Sequence, residues 1–329
     1  MHPSSLRLAR FLALLSALAA PLAAPLAQAQ GTDFPQRPVT FVVPFAPGGS
    51  MDALARITAT KLSPMWGRPV VVENRPGAGG LVGAQRVKAA PADGYTLLVT
   101  NSALIQTVVP SLNPNPPYNP LTDFLPVAHM TLAPVVYAIN PKLPAKNLQE
   151  FIALVKKEPK KFSFGSGGPN QTLHLLGAVL NDAAGLEMIH VPFKGDAALV
   201  TDLMAGHISA GFATIATARP HIDAGNLRAL AVAGPRAPAL PDVPTFRELG
   251  FTQLDVVGWF GMFAPAGTPK AVVDKVYADV NAVLKMSDVD SKLKELSLTP
   301  TGLAPAEFAK IVARDLGYWD AVVKKVGEK

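Results

Sequence analysis

Pro38-Val39-Thr40-Phe41-Val42-Val43-Pro44-Phe45-Ala46-Pro47-Gly48-Gly49-Ser50-Met51-Asp52 decides the reading of this 329-residue chain. Val39 to Val43 is a continuous apolar run, as expected of a strand buried on both faces in a parallel sheet. Pro44 ends the run, Gly48-Gly49 turns the chain, and a helical pattern begins near Ser50. A buried strand feeding a helix through a Gly-rich turn is the repeating unit of an α/β fold. The same turn sets backbone N–H groups and the positive end of a helix dipole at the carboxyl edge of the sheet. Such an edge binds anions without a charged side chain.

Outward from this unit, short β-rich runs alternate with helical patterns. Strands are expected at 70–72, 95–100, 135–140, 161–164, 188–191, 208–212 and 228–233. Helices are expected at 81–90, at 148–157, over a stretch with Leu173, Leu176 and Leu180 on one face that stops at Gly185, at 197–205, from Pro269, and from about 305 to 326. Asn147 with Glu150 forms a capping box, and Thr268-Pro269 reads as a cap followed by Pro at the first helical position. The Pro-rich stretch 110–126 resists regular structure, and Gly258-Trp259-Phe260-Gly261 looks like a strand returning to the first unit. The expected organisation is a discontinuous domain 1 (30–131 and 256–329) wrapped around domain 2 (132–255). Strands would cross between them near 130 and 257 and form a hinged cleft.

Residues 1–29 read as a signal peptide: Arg7 and Arg10 precede a short apolar run, and Ala27-Gln28-Ala29 gives a small-x-small cleavage site after about Ala29. A retained N-terminal anchor is the other reading. Cysteine is absent, so an exported chain of this kind has no disulfide framework, no lipid-carrying Cys and no thiolate metal site. Hydrophobic residues make up 49% and charged residues 16%, the balance of a packed globule rather than a disordered chain. Loss of Arg7 and Arg10 lowers the net charge from +6 to +4. Lys156, Lys157, Lys160 and Lys161 cluster as a solvated helix end, and no basic–aromatic stripe points to nucleic acid.

A second Gly-rich turn, Gly165-Ser166-Gly167-Gly168-Pro169-Asn170-Gln171-Thr172, also joins a strand to a helix. Either turn alone is as readily a tight connection as a binding loop, but one in each unit favours a ligand between them. Asp52 in the first helical turn is read as structural, because a buried carboxylate repels an anion. His174 is either a ligand donor or a packed ring. Asn101 and Ser102 end a strand and offer polar side chains. Lys194-Gly195 offers a cation at the cleft mouth or a surface ion pair. Catalytic motifs are poor: Phe164 stands where a nucleophile elbow needs its first Gly, and the spacing of Gly77-Ala78-Gly79-Gly80-Leu81-Val82-Gly83 fits a dinucleotide fingerprint badly. The histidines have no metal-ligand spacing. An acyl- or phosphoryl-transfer enzyme using Ser166 and His174 remains as an alternative class.

Several motifs together resemble the Bug receptors, the solute-binding proteins of tripartite tricarboxylate transporters. They are the opening run through Asp52 with Ala55-Arg56, Glu73-Asn74-Arg75-Pro76-Gly77-Ala78-Gly79-Gly80, Asp93-Gly94-Tyr95-Thr96-Leu97, Val191-Pro192-Phe193-Lys194-Gly195, Leu227-Arg228-Ala229-Leu230-Ala231-Val232 and Leu240-Pro241-Asp242-Val243-Pro244-Thr245. The resemblance spans the chain from about residue 34 to the end. It implies a periplasmic, monomeric, two-lobed α/β protein of the type II periplasmic-binding-protein (Venus flytrap) fold with two crossing hinge strands. It implies no enzyme activity, cofactor or metal. The family's carboxylate-holding turns match Phe45, Ala46, Pro47, Gly48, Gly49 and Ser50 in one lobe and the stretch from Ser166 to Thr172 in the other, with ordered water helping. The implied partners are a small organic acid and the membrane subunits of such a transporter; a two-component sensor is the alternative partner. Many relatives carry Asp where this chain has Ala213, which implies a mono- or dicarboxylate without an amino group.

Overall fold

The structure, a computed structural model, describes residues 33–168, 171–193 and 195–327. The expected signal peptide 1–29, with Asn170 and Lys194, lies outside the described residues. In chain order the strands are β1 (Val39–Val43), β2 (Val70–Asn74), β3 (Thr96–Asn101), β4 (Phe124–Ala133), β5 (Val135–Ile139), β6 (Ser163–Ser166), β7 (Ile189–Pro192), β8 (Ala210–Thr214), β9 (Arg228–Ala233), β10 (Gly258–Pro265) and β11 (Thr299–Leu303). The helices are α1 (Ser50–Trp66), α2 (Leu81–Lys88), α3 (Ala103–Gln106), α4 (Leu148–Lys157), α5 (Thr172–Ala184), α6 (Asp196–Ala205), α7 (Ile215–Asp223), α8 (Lys270–Leu284), α9 (Ser287–Glu295) and α10 (Pro305–Gly327).

Two sheets form two α/β lobes. The first has the order β11-β4-β10-β3-β1-β2 and the second β7-β6-β8-β5-β9. β1 lies parallel to β2 and β3, and β6 lies parallel to β7 and β8; the remaining pairs are antiparallel. The chain passes between sheets at Pro134, from β4 to β5, and returns between β9 and β10.

The β1 run is buried on both faces for the reason its sequence implies. Val39, Phe41 and Val43 pack in one cluster with Leu54 and Ala55 of α1 and Val273, Val276 and Val280 of α8. Val42 points the other way, into a cluster with Val87 and Leu98. Each fully buried aliphatic side chain contributes about 1.5–3 kcal/mol, so the strand is anchored without polar help. α4 starts at the expected cap: Asn147 Oδ1 accepts from the Glu150 amide at 2.9 Å. Glu150 Oε2 reaches back to the Lys146 amide at 2.7 Å.

Some expectations require correction. β4 begins inside the stretch read as irregular. Pro126 discouraged a central strand, but its register partner Phe263 sits beside a register shift, where a ladder tolerates a missing donor. Thr268 does not cap α8; its hydroxyl donates to Pro265 O at 2.8 Å, and Pro269 is itself the residue before the first helical turn.

Candidate functional site

The carboxyl ends of β1, β2 and β3 in one lobe, and of β6, β7 and β8 in the other, carry the loops that the sequence singles out. In the first lobe, α1 makes its first backward bond from Ala53 N to Gly49 O (3.0 Å). The amides of Ser50, Met51 and Asp52 therefore precede the helical ladder and remain donors for something else. In the second lobe such a bond runs from Leu175 N to Gln171 O (3.0 Å), and the amides of Thr172 and Leu173 precede it at the start of the helix. Neither helix has a side-chain cap at its start.

Asp52 secures the first turn. Its Oδ2 accepts from the Gly48 amide (3.1 Å) and from Arg56 Nε (2.9 Å), and its Oδ1 accepts from Asn74 Nδ2 (2.9 Å). Asn74 also donates to Phe45 O (3.1 Å). Burial pushes the Asp52 carboxyl up, but the bonds from Arg56, Asn74 and Gly48 outweigh it and hold the group below the usual carboxylate range. The Gly48 amide is thus committed to Asp52 and is not a free donor. Gly48 itself needs φ +94°, in the left-handed region that suits glycine. A Cβ placed on Gly49 would meet nothing within 4 Å, so the space beside this residue is open.

The second turn stands on a polar cluster. Ser166 is fully buried, and its Oγ lies 2.7 Å from His190 Nε2 and 3.0 Å from Gly168 O. The rings of His190 and His174 sit 3.9 Å apart. Burial, then the neighbouring His174, pushes His190 down to about 4, and burial lowers His174 as well. Both rings are neutral at neutral pH, so His190 is a hydrogen-bonding prop for Ser166. The enzyme alternative paired Ser166 with His174; the geometry pairs it with His190 instead, beneath the loop rather than at an exposed nucleophile. Asn101 Oδ1 is occupied by the Ala103 amide at 3.0 Å.

The lobes meet at Thr172. Its Oγ1 lies 3.0 Å from Ser102 Oγ and donates to Gln106 Oε1 at 2.9 Å, so two groups of lobe one grip the first residue of α5. Gln171 reaches the same way: its Nε2 would lie 3.9 Å from a Cβ on Gly79. A cavity of about 440 Å³ opens elsewhere, beside the strand crossing, against Pro134, Arg219, Lys294 and Pro300.

Ala213 is buried among Val136, Leu199 and Ile215, yet this sheet edge does carry an acid. Asp196 Oδ2 accepts from the Thr214 amide at 3.1 Å, and its Oδ1 would lie 3.4 Å from a Cβ on Gly167. Burial pushes its pKa up despite the Thr214 bonds, favouring the proton-bearing form. Sequence reading missed Asp196, Gln106 and His190. Among the described residues no group of His, Asp and Glu has the arrangement of a metal site, and no helix is long and apolar enough to cross a membrane.

Two α/β lobes joined by two strand crossings define a two-lobed binding-protein fold. The family profile described as "Tripartite tricarboxylate transporter family receptor" matches residues 54–328, and the chain belongs to that family of periplasmic solute-binding proteins, the Bug receptors. The protein BugT of Bordetella pertussis is 34% identical over 304 residues, covering 92% of this chain and 93% of BugT. The structure of MatC from Rhodopseudomonas palustris with bound malate superposes with a TM-score of 0.80 at 35% identity, covering 88% of this chain and 100% of MatC. R. palustris Rpa4515 with adipate superposes with a TM-score of 0.82 at 32% identity, covering 89% and 98%.

Proposed function

We propose that this protein captures a small mono- or dicarboxylate in the periplasm and delivers it to membrane subunits of the tripartite tricarboxylate type. The observation that carries the reading is a Gly-rich helix start in each lobe, with the amides of Ser50–Asp52 in one and of Thr172 and Leu173 in the other ahead of their helical ladders, and with Thr172 bonded across to Ser102 and Gln106 of the first lobe. The malate and adipate bound by two relatives of the same fold support a carboxylate as cargo.

In the cycle, lobe one (30–131 with 256–329) and lobe two (132–255) part and close about the two strand crossings. A carboxylate bridging both helix starts gains its full set of charge-assisted bonds only in the closed form, and this differential contact drives closure. Ser102–Thr172 and Gln106–Thr172 then hold the lobes together. The protein acts as a monomer, binding and releasing its ligand without turnover. Export removes the segment up to about Ala29.

The test is a thermal-shift screen of acids from acetate to adipate, malate included, on refolded, ligand-stripped protein, followed by calorimetry. At least one acid should bind with a Kd on the order of micromolar, about −8 kcal/mol. If none stabilises the protein, the reading fails. Capture of the membrane subunits by the loaded protein tests the partner.

A further inference from the structure

Gln106 is the last residue of α3 and has no exposed surface. Its Oε1 accepts the Thr172 hydroxyl proton at 2.9 Å. Because that single proton is committed, the contact between Ser102 Oγ and Thr172 Oγ1 must run with Ser102 donating. The hydrogen bonds Ser102→Thr172→Gln106 all donate in one direction and polarise the amide at their end. At that end, Gln106 Nε2 is buried with no acceptor among the described residues. Buried N–H groups without a partner are rare, because burial strips the water that would otherwise accept from them.

The place of this donor gives it a role. It lies against Thr172, the first residue of α5, whose own amide and that of Leu173 precede the helical ladder. We propose that Gln106 is a ligand-contacting residue whose Nε2–H donates to an oxygen of the bound carboxylate. This rests on the carboxylate-binding reading and extends it: the ligand group at Gln106 must be a pure acceptor, an ionised carboxylate or keto oxygen. An ammonium there would set donor against donor. Because the same amide holds Thr172 through its oxygen, ligand contact and lobe closure share one side chain.

Calorimetry of the full mature protein, using the acids that bind the wild type in the panel from acetate to adipate, tests this. Gln106→Glu keeps an acceptor for Thr172 but removes the donor. At pH 8 it should weaken binding by about 10- to 150-fold or more, the range of one hydrogen bond to a charged group. At pH 5, where a buried Glu regains a proton it can donate, affinity should partly return. Gln106→Met, lacking donor and acceptor, should lose a similar factor at both pH values, and decides the matter if the Glu variant does not fold. Thr172→Val removes the interlobe bond and leaves the amide, so it should cost less than either. Gln106→Glu or Gln106→Met binding within twofold of the wild type at pH 8 overturns the proposal while leaving the carboxylate reading intact. A wild type that binds no acid in the panel overturns both.

Discussion

Ser102 Oγ and Thr172 Oγ1 lie 3.0 Å apart, and this contact joins the residue before α3 in one lobe to the first residue of α5 in the other. It is a latch made of two neutral hydroxyls at the edge of the crevice. A neutral hydrogen bond contributes about 0.5–1.5 kcal/mol net, enough to bias closure without preventing reopening. Ser102→Ala should therefore speed ligand release by about 2- to 10-fold in stopped-flow measurements. Combined with Thr172→Val the effects should be less than additive, because both changes break the same bond.

The two glycines before α1 should separate fold from binding. Gly49 has φ −81°, which any residue adopts, and open space at its Cβ. Gly49→Phe should leave the melting temperature within about 2 °C and weaken carboxylate binding by at least about tenfold, by covering the Ser50–Asp52 amides. Gly48→Ala should instead cost about 1–2 kcal/mol of stability, because φ +94° strains any side chain. Paired melting curves and titrations check both outcomes.

Asp52→Ala should lower stability by about 2 kcal/mol at pH 7, since it leaves the Gly48 amide and one Asn74 N–H without their acceptor. The sign with pH follows from the carboxyl's lowered pKa. Its contribution is complete above the unfolded value of 3.8 and disappears as pH falls through the still lower folded value. Urea unfolding at pH 7 and near pH 3 should show the wild-type advantage shrinking at the acid end.

Histidine protonation should govern stability at milder acidity. His129 is 1% exposed, and its ring is pushed down to about 4 by burial, with Arg314 adding to the effect. Thr301 donates to His129 O, so its hydroxyl oxygen accepts from His129 Nδ1, which fixes the tautomer. Neutral in the folded state and protonated in the unfolded state between pH 6.5 and 4, this residue makes stability fall as pH drops through that window. The slope per proton is about 1.4 kcal/mol per pH unit. His190 acts in the same direction. His129→Gln should flatten the measured slope by up to one proton.

Much of this architecture was legible because β1 and its turn obey local rules: burial on both faces makes the apolar run continuous, and the left-handed Gly48 needs no partner to be recognised. The Asn147–Glu150 cap is legible for the same reason, since its bonds span three residues. What was not legible depends on distant approach. β4 disobeys its own Pro126 because β10 absorbs the irregularity. Thr268 turns back to Pro265 rather than forward into α8. Gln106 and Asp196 acquire meaning only when Thr172 and Gly167 are brought beside them by folding, and no spacing along the chain encodes that.

The central claim is that main-chain donors at two helix starts hold the acid group. A crystal structure with a bound carboxylate tests it most directly. The account predicts ligand oxygens within about 3.2 Å of amides among Ser50–Asp52, Thr172 and Leu173, with Gln106 Nε2 on the same group. A carboxylate gripped by a lysine or arginine side chain, or seated in the cavity beside Pro134, would contradict it.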